Sequence, residues 1–166
     1  MTMTNLHRIA GEAVAAAVQR GITVATAESL TAGMVTAMLA DTPGASAMLQ
    51  GGVVSYQNSV KRDVLGVPQA LLDSLGSVDG AVAAAMADGA RRTCGADLGV
   101  STTGVAGPDE HDGKAVGTVF IGVATAQGST SFPYSFEGTR AEIRALACAA
   151  ALERLQEALA SLSYRE

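Results

Sequence analysis

Leu6, Ile9, Ala10, Ala13, Val14, Ala17 and Val18 recur at helical spacing, and Gly21 follows them. That periodicity predicts an opening helix with one buried face, ended by a residue that tolerates a left-handed turn. The pattern then changes to a short apolar run, Ile22 to Ala27, which reads as a strand. A second helical stretch from about Ser29 to Leu39 ends at Asp41-Thr42-Pro43-Gly44, where Pro and Gly oppose continuation. Gly51 to Tyr56 reads as another strand, and Asn58 to Leu65 and Pro68 to Leu75 as short helices. Asp79 is placed to cap a longer helix that reaches Cys94 and stops at Gly95.

Beyond it, Leu98 to Thr102 predicts a strand, and Val116 to Ala126, rich in Val, Thr, Phe and Ile, predicts a hairpin with Thr130 to Phe136 across Gln127-Gly128. Pro133 lacks a backbone N–H, which favours an edge or bulged position for the second arm. A last helix is expected from about Arg140 to Leu162. Strands alternating with helices, followed by a hairpin, imply an α/β fold whose mixed central sheet carries helices on both faces. No repeat, linker or low-complexity tail interrupts the pattern, so residues 1–166 read as a single domain. In such sheets, sites gather at the carboxyl ends of strands, where Ser29, Tyr56 and Thr103 all fall.

Composition narrows the function classes. With 48% hydrophobic and 16% charged residues in 166, the chain can bury a core without metal or disulfide staples. A formal net charge of −5 and the absence of a dense basic run argue against nucleic acid as a partner. Cys94 and Cys148 are isolated and read as buried, reduced thiols. The absence of a signal-peptide apolar region and of a membrane-length apolar window makes a cytoplasmic location, with no membrane partner, the expectation.

Candidate chemistry centres on Ser29, a hydroxyl at a strand-to-helix turn that faces the amides opening the next helix, where an oxyanion can be stabilised. The alternative is that Ser29 or Thr31 simply caps that helix. A Ser-His-Asp set looks unavailable, because the only histidines are His7, on the opening helix, and His111, in a polar loop. Lys61 can serve as base if partly desolvated, against the reading of a solvated lysine beside Arg62. Tyr56 is either a core-edge aromatic or a group that holds Lys61 or the serine. Thr103-Gly104-Val105-Ala106-Gly107-Pro108 either presents backbone N–H groups to an anion or is a plain glycine turn, and it matches neither a Walker loop nor a dinucleotide fingerprint. Arg140 suits a phosphate or carboxylate, or an exposed helix face. Asp109-Glu110-His111-Asp112 reads as a mobile connection pointing to solvent rather than a metal site.

Ala27-Glu28-Ser29-Leu30-Thr31-Ala32-Gly33, Gly51-Gly52-Val53-Val54-Ser55-Tyr56-Gln57-Asn58 with Lys61, Gly95-Ala96-Asp97, Thr103 to Pro108 and Val116-Gly117-Thr118-Val119 occur in one order. Together they resemble the CinA C-terminal domain family, the nicotinamide-nucleotide amidases, in its stand-alone form, over nearly the whole chain. The resemblance implies a three-layer α/β/α sandwich that hydrolyses nicotinamide mononucleotide to nicotinate mononucleotide and ammonia, with no metal or organic cofactor. It makes a small-molecule mononucleotide the expected partner and leaves a homo-oligomer open. The family's nucleophile falls on Ser29, its lysine on Lys61 and its supporting tyrosine on Tyr56. Thr31, Gly33, Thr103, Gly104, Gly107 and Arg140 form the expected substrate-binding set. The chain departs from the family pattern with Leu30 for a cysteine, Ala32 for a glycine, Thr139 for an aspartate and Ala115 for a proline. Leu30 and Ala32 favour the alternative of a catalytically silent domain that binds a nucleotide or a protein partner.

Overall fold

The computed structural model describes residues 1–162. Helix α1, Met3–Arg20, is capped by the Thr2 side chain and ends at Gly21, whose left-handed φ of 63° releases the chain toward the sheet. Five strands follow in the order β2-β1-β3-β4-β5: β1 Val24–Glu28, β2 Leu49–Val54, β3 Leu98–Gly104, β4 Thr118–Thr125 and β5 Gly128–Ser135. β1 runs parallel to β2 and β3, whereas β3, β4 and β5 are antiparallel neighbours. The sheet is therefore mixed, and Pro133 lies on its edge strand, as its missing N–H requires.

Alternation along the strands builds two cores. Val24, Leu98, Val100, Val119, Ile121 and Val123 face one side, against α1, α2 (Met34–Ala40) and α6 (Arg140–Ser161). Ala25 and Ala27 face the other, packing with Val82, Met86 and Ala90 of α5 (Gly80–Thr93) and with the segment of α3 (Asn58–Asp63) and α4 (Gln69–Leu75). This is a three-layer α/β/α sandwich. α5 lies so close to the sheet that a methyl group on Gly99 would stand 2.0 Å from Ala87 O, and one on Gly122 would stand 2.2 Å from Ala83 O. Only a residue without Cβ fits at either point. Asp79 caps α5 by accepting the Ala81 N–H at 2.7 Å, and Thr139 and Glu142 form a capping box on α6.

Three features depart from the sequence reading. α2 begins at Met34, not Ser29, because Ala32 and Gly33 hold left-handed φ values of 50° and 96° that a helix cannot include. β2 ends at Val54, so Tyr56 sits just beyond the strand. Cys148 is buried in α6, but Cys94 is only half-buried, at the carboxyl cap of α5. Among the described residues no helix is long and apolar enough to cross a membrane.

Candidate active site

Because β1, β2 and β3 are parallel, their carboxyl ends open on one rim, and Glu28 pairs there with Val54 on one side and Thr102 on the other. Ser29, the next residue, is tied to the sheet by its N–H, which donates to Thr102 O at 2.9 Å. Glu28 is 1% exposed and organises everything that follows. Its Oε2 accepts from Thr31 Oγ1 at 2.6 Å, Gly33 N at 3.0 Å and Val35 N at 3.0 Å. Its Oε1 accepts from Thr36 N at 2.8 Å and Thr36 Oγ1 at 2.6 Å. The carboxylate thus satisfies the open end of α2 from inside, where the partial positive charge of a helix start favours an anion.

That arrangement narrows one expectation. The amides opening α2 are occupied by Glu28, so they cannot serve an oxyanion beside Ser29. The Thr31 hydroxyl and Gly33 belong to this carboxylate's shell and not to the pocket: the buried hydroxyl is shared between Glu28 and Thr102, and the Gly33 N–H is committed, which leaves, of these two residues, only the Thr31 backbone N–H uncommitted. Among the described residues the Leu30 and Thr31 N–H groups meet no protein acceptor, which leaves them as the free amides adjacent to Ser29. Glu28 carried no signal in the sequence beyond its place beside Ser29, since five-fold capping by one carboxylate depends on the left-handed turn that follows.

Lys61 is 1% exposed, which settles the choice between a solvated helix lysine and a buried one. Its Nζ donates to Ser55 O at 2.8 Å, Tyr56 O at 3.3 Å and Ser29 Oγ at 3.3 Å. Burial lowers its pKa from 10.5 to about 8, while the Asp112 carboxylate pushes in the opposite direction. The geometry suits both protonation states. A neutral amine keeps two N–H bonds for the two carbonyls and turns its lone pair toward the serine hydroxyl.

Beside this pair opens a cavity of about 440 Å³ lined by Ser29, Leu30, Tyr56, Thr103, Gly104, Gly107 and Arg140 among others. Tyr56 is half exposed, and its roles divide: the backbone carbonyl holds Lys61, while the phenol accepts from Arg140 Nη2 at 3.0 Å. Arg140 also donates from Nη1 to Gly107 O at 2.5 Å, so it braces the glycine turn from the first residue of α6. Thr103 reaches the cavity wall with its hydroxyl already donated to Ser77 O at 2.6 Å.

The acidic loop is exposed to solvent, as expected, but it is pinned to the domain rather than free. Asp109, Glu110 and His111 line the cavity mouth, and His111 and Lys114 exchange backbone hydrogen bonds across an Asp112-Gly113 tip with left-handed φ values of 52° and 68°. Asp-Gly suits such a tip because both residues tolerate that conformation. Asp112 then accepts from Ser77 N at 2.6 Å and Ser77 Oγ at 2.8 Å, which holds its pKa below the usual carboxylate range. The loop is pinned to the segment before α5. Among the described residues no group of three His, Cys, Asp or Glu side chains is arranged to hold a metal ion.

The fold is an α/β/α sandwich that brings a serine and a buried lysine into contact at the carboxyl rim of its parallel strands. The chain belongs to the CinA C-terminal domain family, whose model matches residues 6–159. It is 45% identical over 149 residues to a CinA-like protein of Frankia casuarinae, covering 90% of this chain and 34% of that protein. A CinA-like protein of Geotalea uraniireducens is 42% identical over 149 residues, covering 89% of this chain and 36% of that one. The chain therefore spans about a third of the length of these curated relatives. Among solved structures, a CinA superfamily protein from Klebsiella pneumoniae matches with a TM-score of 0.91 at 30% identity, covering 95% of this chain and 99% of that one. The competence/damage inducible protein CihA from Agrobacterium tumefaciens matches with a TM-score of 0.89 at 33% identity, covering 95% and 96%.

Proposed function

We propose that this domain is an amidohydrolase that converts nicotinamide mononucleotide to nicotinate mononucleotide and ammonia through a serine acyl-enzyme. The observation that carries the reading is the 3.3 Å contact between Ser29 Oγ and the Nζ of a lysine whose pKa burial lowers to about 8. At that value roughly one lysine in ten is neutral at pH 7, enough for a general base that is regenerated in each cycle.

Neutral Lys61 takes the proton of Ser29 as Oγ attacks the carboxamide carbon, and a tetrahedral intermediate forms with negative charge on the former carbonyl oxygen. Lys61 then gives its proton to the departing nitrogen, the C–N bond breaks and ammonia leaves. Water adds to the acyl-enzyme with the same lysine as base, and the Ser29 ester bond breaks to release the nicotinate product. Arg140 and the Gly104–Gly107 turn bind the ribose phosphate end, with Tyr56 steadying Arg140. The choice of substrate rests on family membership, and the step sequence rests on the serine–lysine contact.

The test incubates purified protein with nicotinamide mononucleotide and measures ammonia and nicotinate mononucleotide, with Ser29→Ala as control. Equimolar products from the wild type and none from folded Ser29→Ala are expected. A wild type that binds the nucleotide without releasing ammonia would replace this reading with that of a silent binding domain.

A further inference from the structure

The turn that carries the nucleophile is held from a second side by a residue absent from the chemistry above. Arg144, one helical turn into α6, donates from Nε to Leu30 O at 2.8 Å and from Nη2 to Thr31 O at 3.0 Å. Leu30 and Thr31 are both buried, so these carbonyls have little access to water. The guanidinium suits them because its planar fork addresses two acceptors at once in a fixed geometry. Arg144 and Glu28 bring opposite charges to the same region. The Cys148 thiol is pushed up to about 12, by burial first and by Glu28 next, with Arg144 acting in the opposite direction.

Peptide planarity gives this fork a consequence. A trans peptide places its C=O and the following N–H on opposite sides. Holding Leu30 O toward α6 therefore turns the Thr31 N–H away from α6. Within the turn, Ser29 O accepts from Ala32 N at 3.1 Å, which turns the Leu30 N–H outward in the same manner. The Ala32 N–H belongs to the peptide whose carbonyl, Thr31 O, is the second atom that Arg144 holds. Ser29 and Leu30 line the cavity, and the Leu30 and Thr31 amides meet no acceptor among the described residues.

We propose that Arg144 is a positioning residue, whose fork holds the Leu30 and Thr31 peptide planes so that their N–H groups stand ready for the oxyanion that forms when Ser29 attacks. The inference rests on the amidohydrolase reading of the pocket. Donors fixed in advance stabilise a developing charge without reorganisation, and that benefit appears in the transition state rather than in substrate binding.

The test compares wild type, Arg144→Ala and Arg144→Lys, each as the full chain, by steady-state kinetics on nicotinamide mononucleotide across pH and by amide NMR of ¹⁵N-labelled protein without substrate. Arg144→Ala should lower kcat ~10- to 100-fold with KM within about twofold of wild type. The acid limb of its pH profile should stay in place, because Lys61 keeps its three partners. Arg144→Lys keeps the charge and much of the packing but not the fork, so it should fall between the two, and it carries the comparison if the alanine variant does not fold. The Leu30 and Thr31 amide resonances should move. A folded Arg144→Ala with wild-type kcat, or a loss confined to KM, would overturn the proposal. If the wild type releases no ammonia, the amidohydrolase reading fails on its own, and the NMR arm still decides the point: unmoved Leu30 and Thr31 amides would show that Arg144 does not set those planes.

Discussion

Lys61 Nζ meets Ser29 Oγ at 3.3 Å while the carbonyls of Ser55 and Tyr56 hold its other two N–H groups. Three acceptors hold the amine in place, where an unpartnered lysine would wander. Activity should rise with pH through the pKa of about 8, because only the neutral amine accepts the serine proton. Lys61→Arg should lose more than about a thousandfold in kcat, since guanidinium stays protonated at any working pH. A pH–rate profile flat from 6 to 10 in the wild type, or near-normal turnover by the arginine variant, would show that Lys61 acts only as a fixed charge.

Asp112 should tune that base. Its carboxylate raises the Lys61 pKa against the larger effect of burial, and His111 lies 3.6 Å from the same oxygen. Of the other charged groups near the rim, Glu28 is enclosed by α2 and Arg140 is turned to Tyr56 and Gly107. Asp112→Asn keeps an oxygen for the Ser77 N–H and hydroxyl but removes the charge, so the lysine pKa should fall further. The acid limb of the profile then moves to lower pH, and the fraction of full activity retained at pH 7 rises. Profiles measured side by side check the sign, and a limb that moves upward would refute the coupling.

Glu28→Gln tests the carboxylate under the nucleophile turn. Five donors converge on two oxygens, and an amide must turn N–H groups toward some of them. Each buried donor left without an acceptor costs ~1–3 kcal/mol, so a loss of about 3 kcal/mol or more is expected in denaturant unfolding, with activity falling as the turn loosens. Stability within about 0.5 kcal/mol of wild type would mean that the turn holds without the charge.

Arg140 separates recognition from chemistry. If its guanidinium reads the substrate phosphate, Arg140→Ala should raise KM for nicotinamide mononucleotide ~10- to 100-fold and change turnover of nicotinamide riboside far less. Equal losses on both substrates would point instead to its hydrogen bonds with Gly107 and Tyr56 as the part that matters.

The architecture was legible because periodicity reports burial. The helices that became α1, α5 and α6, and the hairpin with Pro133 at the edge, follow from which positions face a core. What periodicity misses is where a polar side chain replaces a backbone partner. Ser29 resembles a helix cap, yet α2 starts five residues later, because Glu28 performs that task from within the preceding strand. The sequence leaves Lys61 either solvated or partly desolvated on a short helix, and only the Ser55 and Tyr56 carbonyls that enclose the amine decide between the two. The tethering of the exposed acidic loop is hidden for a related reason. Four polar residues look solvated, yet Asp112 has backbone and hydroxyl donors waiting at Ser77.

By plugging the amino end of α2, Glu28 removes from this pocket the anion seat that helix ends commonly supply. On the proposed reading, grip on a phosphate then falls to Arg140 of α6 and to the Gly104–Gly107 turn, remote in sequence from the strand-end turn where bond cleavage would occur. Choice of the substrate's tail and cleavage of its amide would then be set by different side chains, so a new tail could be selected at Arg140 while Ser29, Lys61 and Arg144 are left as they are.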